Sequence, residues 1–268
     1  MINLPDLTFI IPVRIESKDR HLNALATLGY LCHHLNSKII ILEDDVSPKI
    51  PAILEETKTG EMNIKYLYRN TGNSLFHRTK FLNIMLRMVT TSVVANYDID
   101  VLLLPESYQQ CYDTIKHKNQ DMILPHFYGD SEYQINSKGR TKILESFDLK
   151  KLDESDAKIF ITPPKKCPPC HGFCQFFNTH SYIEGGMENE EFISYGPEDV
   201  ERVNRFYRLG YKVLWLDKYV WHLEHSRDIN SNDSNPYYKK NWALTGRLMY
   251  EFSVDQLREY YRNKIHNE

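Results

Sequence analysis

Short apolar runs of strand length alternate with apolar residues at helical spacing through the first half of the chain, and this alternation leaves few folds open. Leu7 to Val13, bounded by Pro5 and a charged stretch, predicts a buried strand. Ser17 is placed to cap a following helix, whose Leu22, Leu25, Ala26, Leu28 and Leu31 form a broad apolar face. Lys38 to Leu42 predicts a second buried strand ending abruptly in Glu43-Asp44-Asp45, and Ile64 to Tyr68 a third. Phe81, Ile84, Met85 and Met88 then show helical spacing, and Ser92 to Asn96 returns to a strand that runs into Tyr97-Asp98-Ile99-Asp100. Pro105 to Lys116 predicts a helix, and Met122 to Leu124 extended chain. Such a sequence specifies an α/β fold with a mostly parallel central sheet flanked by helices, in which ligands bind beyond the carboxyl ends of the strands. The acidic residues lie at those ends.

The pattern weakens from about Gly129 to Pro169, where loops, a helix and an irregular hairpin are expected. It resumes with a strand at Phe173 to Phe177, a helix at Pro197 to Leu209, and extended segments at Lys212 to Leu216 and Tyr219 to Leu223. Ser253 to Gln256 is a capping-box signature for a final helix. With 268 residues, 41% hydrophobic and 26% charged, the chain reads as one domain. A formal charge of -3, with Lys and Arg dispersed, gives no footprint for nucleic acid. No signal peptide is legible at the amino end, and no stretch approaches the roughly 20 apolar residues of a membrane helix. The expected location is the cytoplasm, with peripheral contact at the inner membrane left open. Cys167, Cys170 and Cys174 could form half a zinc site or a redox pair, but no second C-x-x-C supplies the remaining ligands.

Four groups of residues could carry chemistry. Carboxylates two apart on extended chain face the same way, so of Asp98 and Asp100 one could hold a divalent cation while the other orders its water or contacts a donor; a polar strand end or Asx turn is the plainer reading. Pro197-Glu198-Asp199 is ordinary helix-start chemistry, yet a carboxylate there could take a proton from an attacking hydroxyl. Gly185-Gly186 and Tyr195-Gly196 supply a flexible segment and an aromatic surface for a sugar. His222 and His225, three apart, share one metal only if the chain turns between them. Arg14, past the first strand, could meet a base, ribose or phosphate, or form a surface ion pair.

Taken in order, these segments resemble the β-1,4-galactosyltransferase family and its bacterial, chondroitin-polymerase-like relatives, which share the GT-A fold. Thr8-Phe9-Ile10-Ile11-Pro12-Val13-Arg14 is similar to the family's first strand and nucleotide-contacting Pro-x-Arg turn. Phe76-His77-Arg78-Thr79-Lys80-Phe81-Leu82-Asn83 is similar to its Phe-Asn-Arg-Ala-Lys-Leu-Leu-Asn segment, which helps hold the nucleotide. Tyr195-Gly196-Pro197-Glu198-Asp199 resembles Trp-Gly-Gly-Glu-Asp, implying Asp199 as catalytic base and an acceptor-side role for Glu198. His222-Leu223-Glu224-His225-Ser226-Arg227 resembles Met-x-x-His-Ser-Arg, implying His225 as a metal ligand beside Asp100, with His222 in place of the methionine ligand.

The resemblance implies an inverting, metal-dependent glycosyltransferase that moves a hexose or N-acetylhexosamine from a UDP-sugar to a glycan or glycolipid hydroxyl, with Mn2+ or another divalent cation, in bacterial polysaccharide biosynthesis. Residues 1–125 would form the nucleotide-binding half of a single domain and 126–268 the acceptor and metal-completing half. The expected donor residues are Pro12, Arg14, Glu43, Phe76, Arg78 and Asp98, and the expected acceptor residues Tyr195 and Gly186. The competing readings are a metal-dependent nucleotidyltransferase or hydrolase, and a non-catalytic sugar-nucleotide or glycan binder.

Overall fold

The computed structural model of the chain describes residues 1–57, 63–126, 132–160 and 171–266. The elements run β1 (Ile2–Val13), α1 (Lys18–His34), β2 (Leu35–Asp44), α2 (Ile50–Glu56), β3 (Asn63–Arg69), α3 (Arg78–Leu86), β4 (Val93–Tyr97), β5 (Val101–Leu102) and α4 (Pro105–Lys118). They continue with β6 (Met122–Leu124), β7 (Glu132–Ile135), α5 (Ser137–Ser146), β8 (Ala157–Phe160), β9 (Cys174–Asn178), α6 (Thr179–Glu184), α7 (Glu198–Leu209), β10 (Val213–Trp215), β11 (Val220–Leu223), α8 (Tyr238–Gly246) and α9 (Val254–His266). The predicted caps form: Ser17 Oγ accepts from Arg20 N at 3.2 Å, and Ser253 and Gln256 bond reciprocally at 2.8 and 3.2 Å.

Seven strands form the main sheet in the order β10-β6-β9-β4-β1-β2-β3. β1, β2, β3 and β4 pair in parallel, as do β6 and β10, while β9 enters antiparallel between β4 and β6. Alternate residues of β1 and β2 serve opposite faces. Phe9, Ile11, Ile39 and Ile41 pack with α1 and α4, whereas Ile10, Ile40 and Leu42 pack with α3 and α7. Both faces are therefore dry, which explains the unbroken apolar runs. Each fully buried Ile or Leu there contributes about 1.5–3 kcal/mol.

A second sheet of order β5-β11-β7-β8 stands outside the parallel pattern. Its strands are short and distant in sequence, so periodicity gave no sign of their pairing. β5 begins immediately after Asp100, and β11 pairs antiparallel with it and parallel with β7.

Helix α7 is fixed by charge rather than by grease alone. Arg202, 2% exposed, places Nε 2.5 Å and Nη2 2.6 Å from the two carboxylate oxygens of Glu188, and also bonds Gln175 of β9. Arg205 bonds the Gly185 and Met187 carbonyls and lies 4.1 Å from the Tyr261 ring centroid. Removing one partner of such a pair strands a buried charge. Arg202→Ala is expected to lower unfolding free energy by about 3–5 kcal/mol, read as a reduced urea midpoint.

Candidate active site

The carboxyl ends of β1 and β4, the start of α3, the turn entering α7 and the segment after β11 converge on one cavity of about 250 Å³. Pro12, Arg14, Phe76, Arg78, Asp98, Asp100, Tyr195, Glu198, Asp199, His222 and His225 all line it. Residues up to 213 positions apart in sequence are thus brought to the end of the sheet where an α/β fold leaves its crevice.

On one wall Asp100, His222 and His225 offer ligand atoms within 4.8 Å of one another. His225 Nε2 stands 3.2 Å and His222 Nε2 3.8 Å from the Asp100 carboxylate. Each imidazole is oriented through its other nitrogen: His222 Nδ1 lies 2.8 Å from Glu132 Oε1, and His225 Nδ1 2.8 Å from the Ser226 carbonyl. Both Nδ1 partners are acceptors, so Nδ1 donates and Nε2 is the nitrogen left facing Asp100, which is how metal-binding histidines are commonly oriented. One oxygen and two imidazole nitrogens suit a transition cation better than calcium. Burial opposes ionisation of Asp100, but the His225 hydrogen bond and the neighbouring His222 and Arg20 hold its carboxyl well below the usual range. The residues present fit a divalent cation.

The opposite wall is cationic and aromatic. Arg14 Nε donates to the Asp44 carbonyl at 2.7 Å, Nη1 to the Ser74 carbonyl at 3.0 Å, and Nη2 pairs with the Asp44 carboxylate. Its guanidinium lies 5.4 Å from the Phe76 ring centroid. Arg78 pairs with Asp98, donates to Asn96 Oδ1 at 3.2 Å, and stands 3.9 Å from Glu198. Both arginines are held rigid before any ligand arrives, which lowers the ordering cost of binding an anion.

At the third wall α7 starts with Glu198 and Asp199. Glu198 Oε2 is buried with no hydrogen-bond partner among the described residues. Burial first, and the charge of Asp199 second, push its carboxyl up to about 8. Glu198 therefore stays protonated at neutral pH, while the neighbouring Asp199 accepts through Oδ1 from Val200 N at 2.7 Å. A carboxyl raised from 4.5 to about 8 on folding stabilises the protein fully below 4.5, and that contribution is lost as pH rises through about 8. Glu198→Gln is therefore expected to match the native protein in unfolding free energy near pH 4.5 and to exceed it by about 2–4 kcal/mol at pH 9, measured by urea titration at both pH values.

Three expectations are corrected. Asp98 to Asp100 is not extended: β4 ends at Tyr97, and Val101 N bonds back to the Asp98 carbonyl at 3.3 Å. This turn separates the carboxylates, sending Asp98 to Arg78 and Asp100 to the histidines, while Ile99 is buried in the core. Glu43 faces away from the cavity; it is buried, caps the start of α2 through Lys49 N and Ile50 N, and accepts from Tyr66 Oη at 2.6 Å. Asp44 takes the place beside Arg14. Gly186 does not line the cavity either; its φ of +100° and the Tyr261 ring, 2.3 Å from where a Cβ would sit, give it a packing role. Cys167 and Cys170 lie outside the described residues, whereas Cys174 is buried in β9.

Glu132, Arg20 and Arg202 went unseen in the sequence. Arg202 alone had a signal, one helical turn beyond Glu198 on the same face. Glu132 reaches His222 only because β7 pairs with β11.

Comparison with known families decides the class. The profile described as Glycosyl transferase family 2 matches residues 8–186, more than half of the chain. The chain belongs to glycosyl transferase family 2. The match takes in Arg14, Arg78 and the Asp98–Asp100 turn, and ends before Glu198, Asp199 and both histidines. This family 2 chain has the GT-A fold seen in similar solved structures. GalNAc-T7 with UDP, GalNAc and Mn2+ superposes with a TM-score of 0.62 at 12% identity, over 97% of this chain and 54% of that one. The mannosyltransferase PcManGT from Pyrobaculum calidifontis, with GDP-Man and Mn2+, gives 0.55 at 11% identity, over 98% and 70%. TarS of S. aureus gives 0.55 at 14% identity, over 96% and 43%. The chain spans about half the length of the first of these and less than half of the last. No curated protein sequence matches it. Among the described residues no helix is long and apolar enough to cross a membrane.

Proposed function

We propose that this chain is an inverting, metal-dependent glycosyltransferase that moves a hexose or N-acetylhexosamine from a UDP-sugar to a glycan hydroxyl. The observation that carries the reading is the single cavity in which Asp100, His222 and His225 face Glu198 and Asp199 across two immobilised arginines. Arg14 and Phe76 would receive the nucleotide, and Arg78 with Asp98 would border the sugar. A divalent cation held by Asp100, His222 and His225 would neutralise charge on the departing diphosphate. Asp199 takes the proton from the acceptor hydroxyl as its oxygen attacks the anomeric carbon and the bond to UDP breaks on the far side. Protonated Glu198 donates a hydrogen bond to the acceptor, and Tyr195 gives it an apolar face.

The Mn2+ in two of the similar structures supports that cation, and the UDP in one of them supports that nucleotide. Within the family we read the chain as galactosyltransferase-like, bacterial and cytoplasmic, with residues 1–125 serving the donor and 126–268 the acceptor in polysaccharide biosynthesis at the inner membrane. The test is nucleotide release from UDP-galactose, UDP-N-acetylgalactosamine, UDP-N-acetylglucosamine, UDP-glucose and GDP-mannose in Mn2+. UDP release from one donor supports the proposal. Pyrophosphate release would replace it with nucleotidyl transfer, and binding of UDP without turnover would make the chain a binder.

A further inference from the structure

A second cleft of about 310 Å³ lies along α7, walled by Val200, Asn204, Tyr207, Trp215, Trp242 and Tyr250 among others. Its aromatic rings are unusually open to solvent: Trp242 is 40% exposed, Tyr207 48% and Tyr250 81%. Among the described residues lining it there is no acid, lysine or arginine. A neutral ligand is therefore favoured over an anionic lipid surface, which would call for basic residues at the point of contact. The volume is at the lower end of the range for small-molecule sites.

The cleft is joined to the active cavity by a track of rings. Tyr195, in the cavity wall, stacks on Tyr238 at 5.8 Å with an interplanar angle of 10°, and Tyr238 and Trp242 meet in a T-shaped pair at 6.3 Å. The track is rigid. Asn241 Nδ2 donates to the Ile193 and Tyr195 carbonyls at 2.9 and 3.0 Å, tying α8 to the turn that carries Tyr195. Trp215 Nε1 donates to Tyr207 Oη at 3.0 Å, fixing two rings of the far wall. Along α7 the stretch from Asp199 to Tyr207 rises about 12 Å, longer than one sugar ring.

We infer that this cleft is an extended acceptor subsite, which holds the non-reacting sugars of an oligosaccharide whose terminal hydroxyl lies at Asp199. Sugar rings present faces of C–H bonds with partial positive charge, which pack on the negative faces of aromatic rings, and their hydroxyls remain free for water at the open side. The inference rests on the reading of this chain as a glycan-modifying enzyme. It goes further by assigning a chain-length preference to residues remote from the chemistry. Binding energy from those remote sugars positions the reacting hydroxyl, so a longer acceptor gains in rate as well as in affinity.

Tryptophan fluorescence of the full chain, titrated with cellotetraose, chitotetraose and β-1,4-galactotetraose and with each monosaccharide, provides the test. At least one tetrasaccharide is expected to bind at least ten-fold more tightly than its monosaccharide. Trp242→Ala is expected to weaken that binding about ten-fold, with UDP affinity and thermal midpoint unchanged. The same loss from Tyr207→Ala would extend the subsite to the far wall; Tyr207→Ala binding as natively while Trp242→Ala fails would overturn a site spanning the cleft. Equal affinity for tetrasaccharides and monosaccharides in the native protein overturns the inference. So does cosedimentation with phosphatidylglycerol vesicles that Trp242→Ala abolishes, which would make the patch a membrane contact. UDP release is scored separately: its failure on every donor counts against the proposed function, while a length preference without it leaves the subsite standing on a glycan-binding protein.

Discussion

On the proposed function, an Asp199→Asn protein is expected to bind the UDP-sugar as the native protein does and to transfer the sugar 10²- to 10⁴-fold more slowly, the range that general-base catalysis contributes. The substitution keeps the size of the side chain and its contact with Val200 N, and removes only the capacity to take a proton. The loss falls on kcat, because the proton moves in the transition state and not on binding. Glu198 is a poor substitute near neutral pH. Burial and its neighbour's charge push it up to about 8, so near neutral pH it already holds the proton that a base must be free to accept. Replacing Asp199 also removes the charge that raises Glu198, which predicts a second signature: residual activity in the variant should rise with pH from a lower midpoint, as Glu198 ionises more readily. Steady-state rates at saturating donor across pH 5–9, with UDP affinity measured in parallel, check both. Full transfer by Asp199→Asn would move the base elsewhere.

Much of the fold was legible because local and tertiary signals agree. β1, α1, β2 and α3 have apolar patterns that match the faces they bury, and the caps at Ser17 and Ser253 form as their spacing predicts. What escaped the sequence is non-local. The order of β9 between β4 and β6, and the sheet that joins β5, β11 and β7, depend on pairings between strands of two to five residues far apart in the chain, and a short apolar run does not declare its partner.

The histidines show where sequence reasoning stops. A continuous strand would aim His222 and His225 to opposite sides. β11 ends at Leu223, however, with a last bond to β7 from Glu224 N to the Ile135 carbonyl at 2.9 Å; beyond it the chain departs from the strand path, and both imidazoles reach Asp100. Glu43 is the converse. Its place at a strand end suggested a ligand contact, but the pleat turns it under α2 while its neighbour Asp44 meets Arg14. Side-chain period near a strand end decides which of two adjacent acids faces the crevice, and one residue of register is enough to reverse the reading.

Asp100→Ala is expected to abolish metal-dependent UDP release, a loss of at least about 10³-fold if the cation supplies some 4 kcal/mol to the departing diphosphate. Asp100 is the only carboxylate among the three clustered ligands, and it lies between His222, His225 and Arg20, 3.9 Å from the last. Without it two imidazoles must hold a cation beside a guanidinium, and the field at that point changes from attractive to repulsive. A readout apart from turnover separates this from a damaged fold. Saturating Mn2+ at 100 times its dissociation constant should stabilise the native protein by about 2.7 kcal/mol, and Asp100→Ala by nothing measurable, while the two proteins without metal unfold within a few degrees of each other. The metal-free comparison has a definite sign. Burial disfavours the charged His222 imidazole, but Glu132 and then Asp100 raise it above its ordinary value, so below that ordinary value the variant, which lacks Asp100, should be the less stable of the two. The difference should shrink as pH rises through that raised value and His222 loses its proton. A variant that retained both Mn2+-dependent stabilisation and UDP release would place the cation on other residues, and Asp98 with Glu132 would be the next carboxylates to replace.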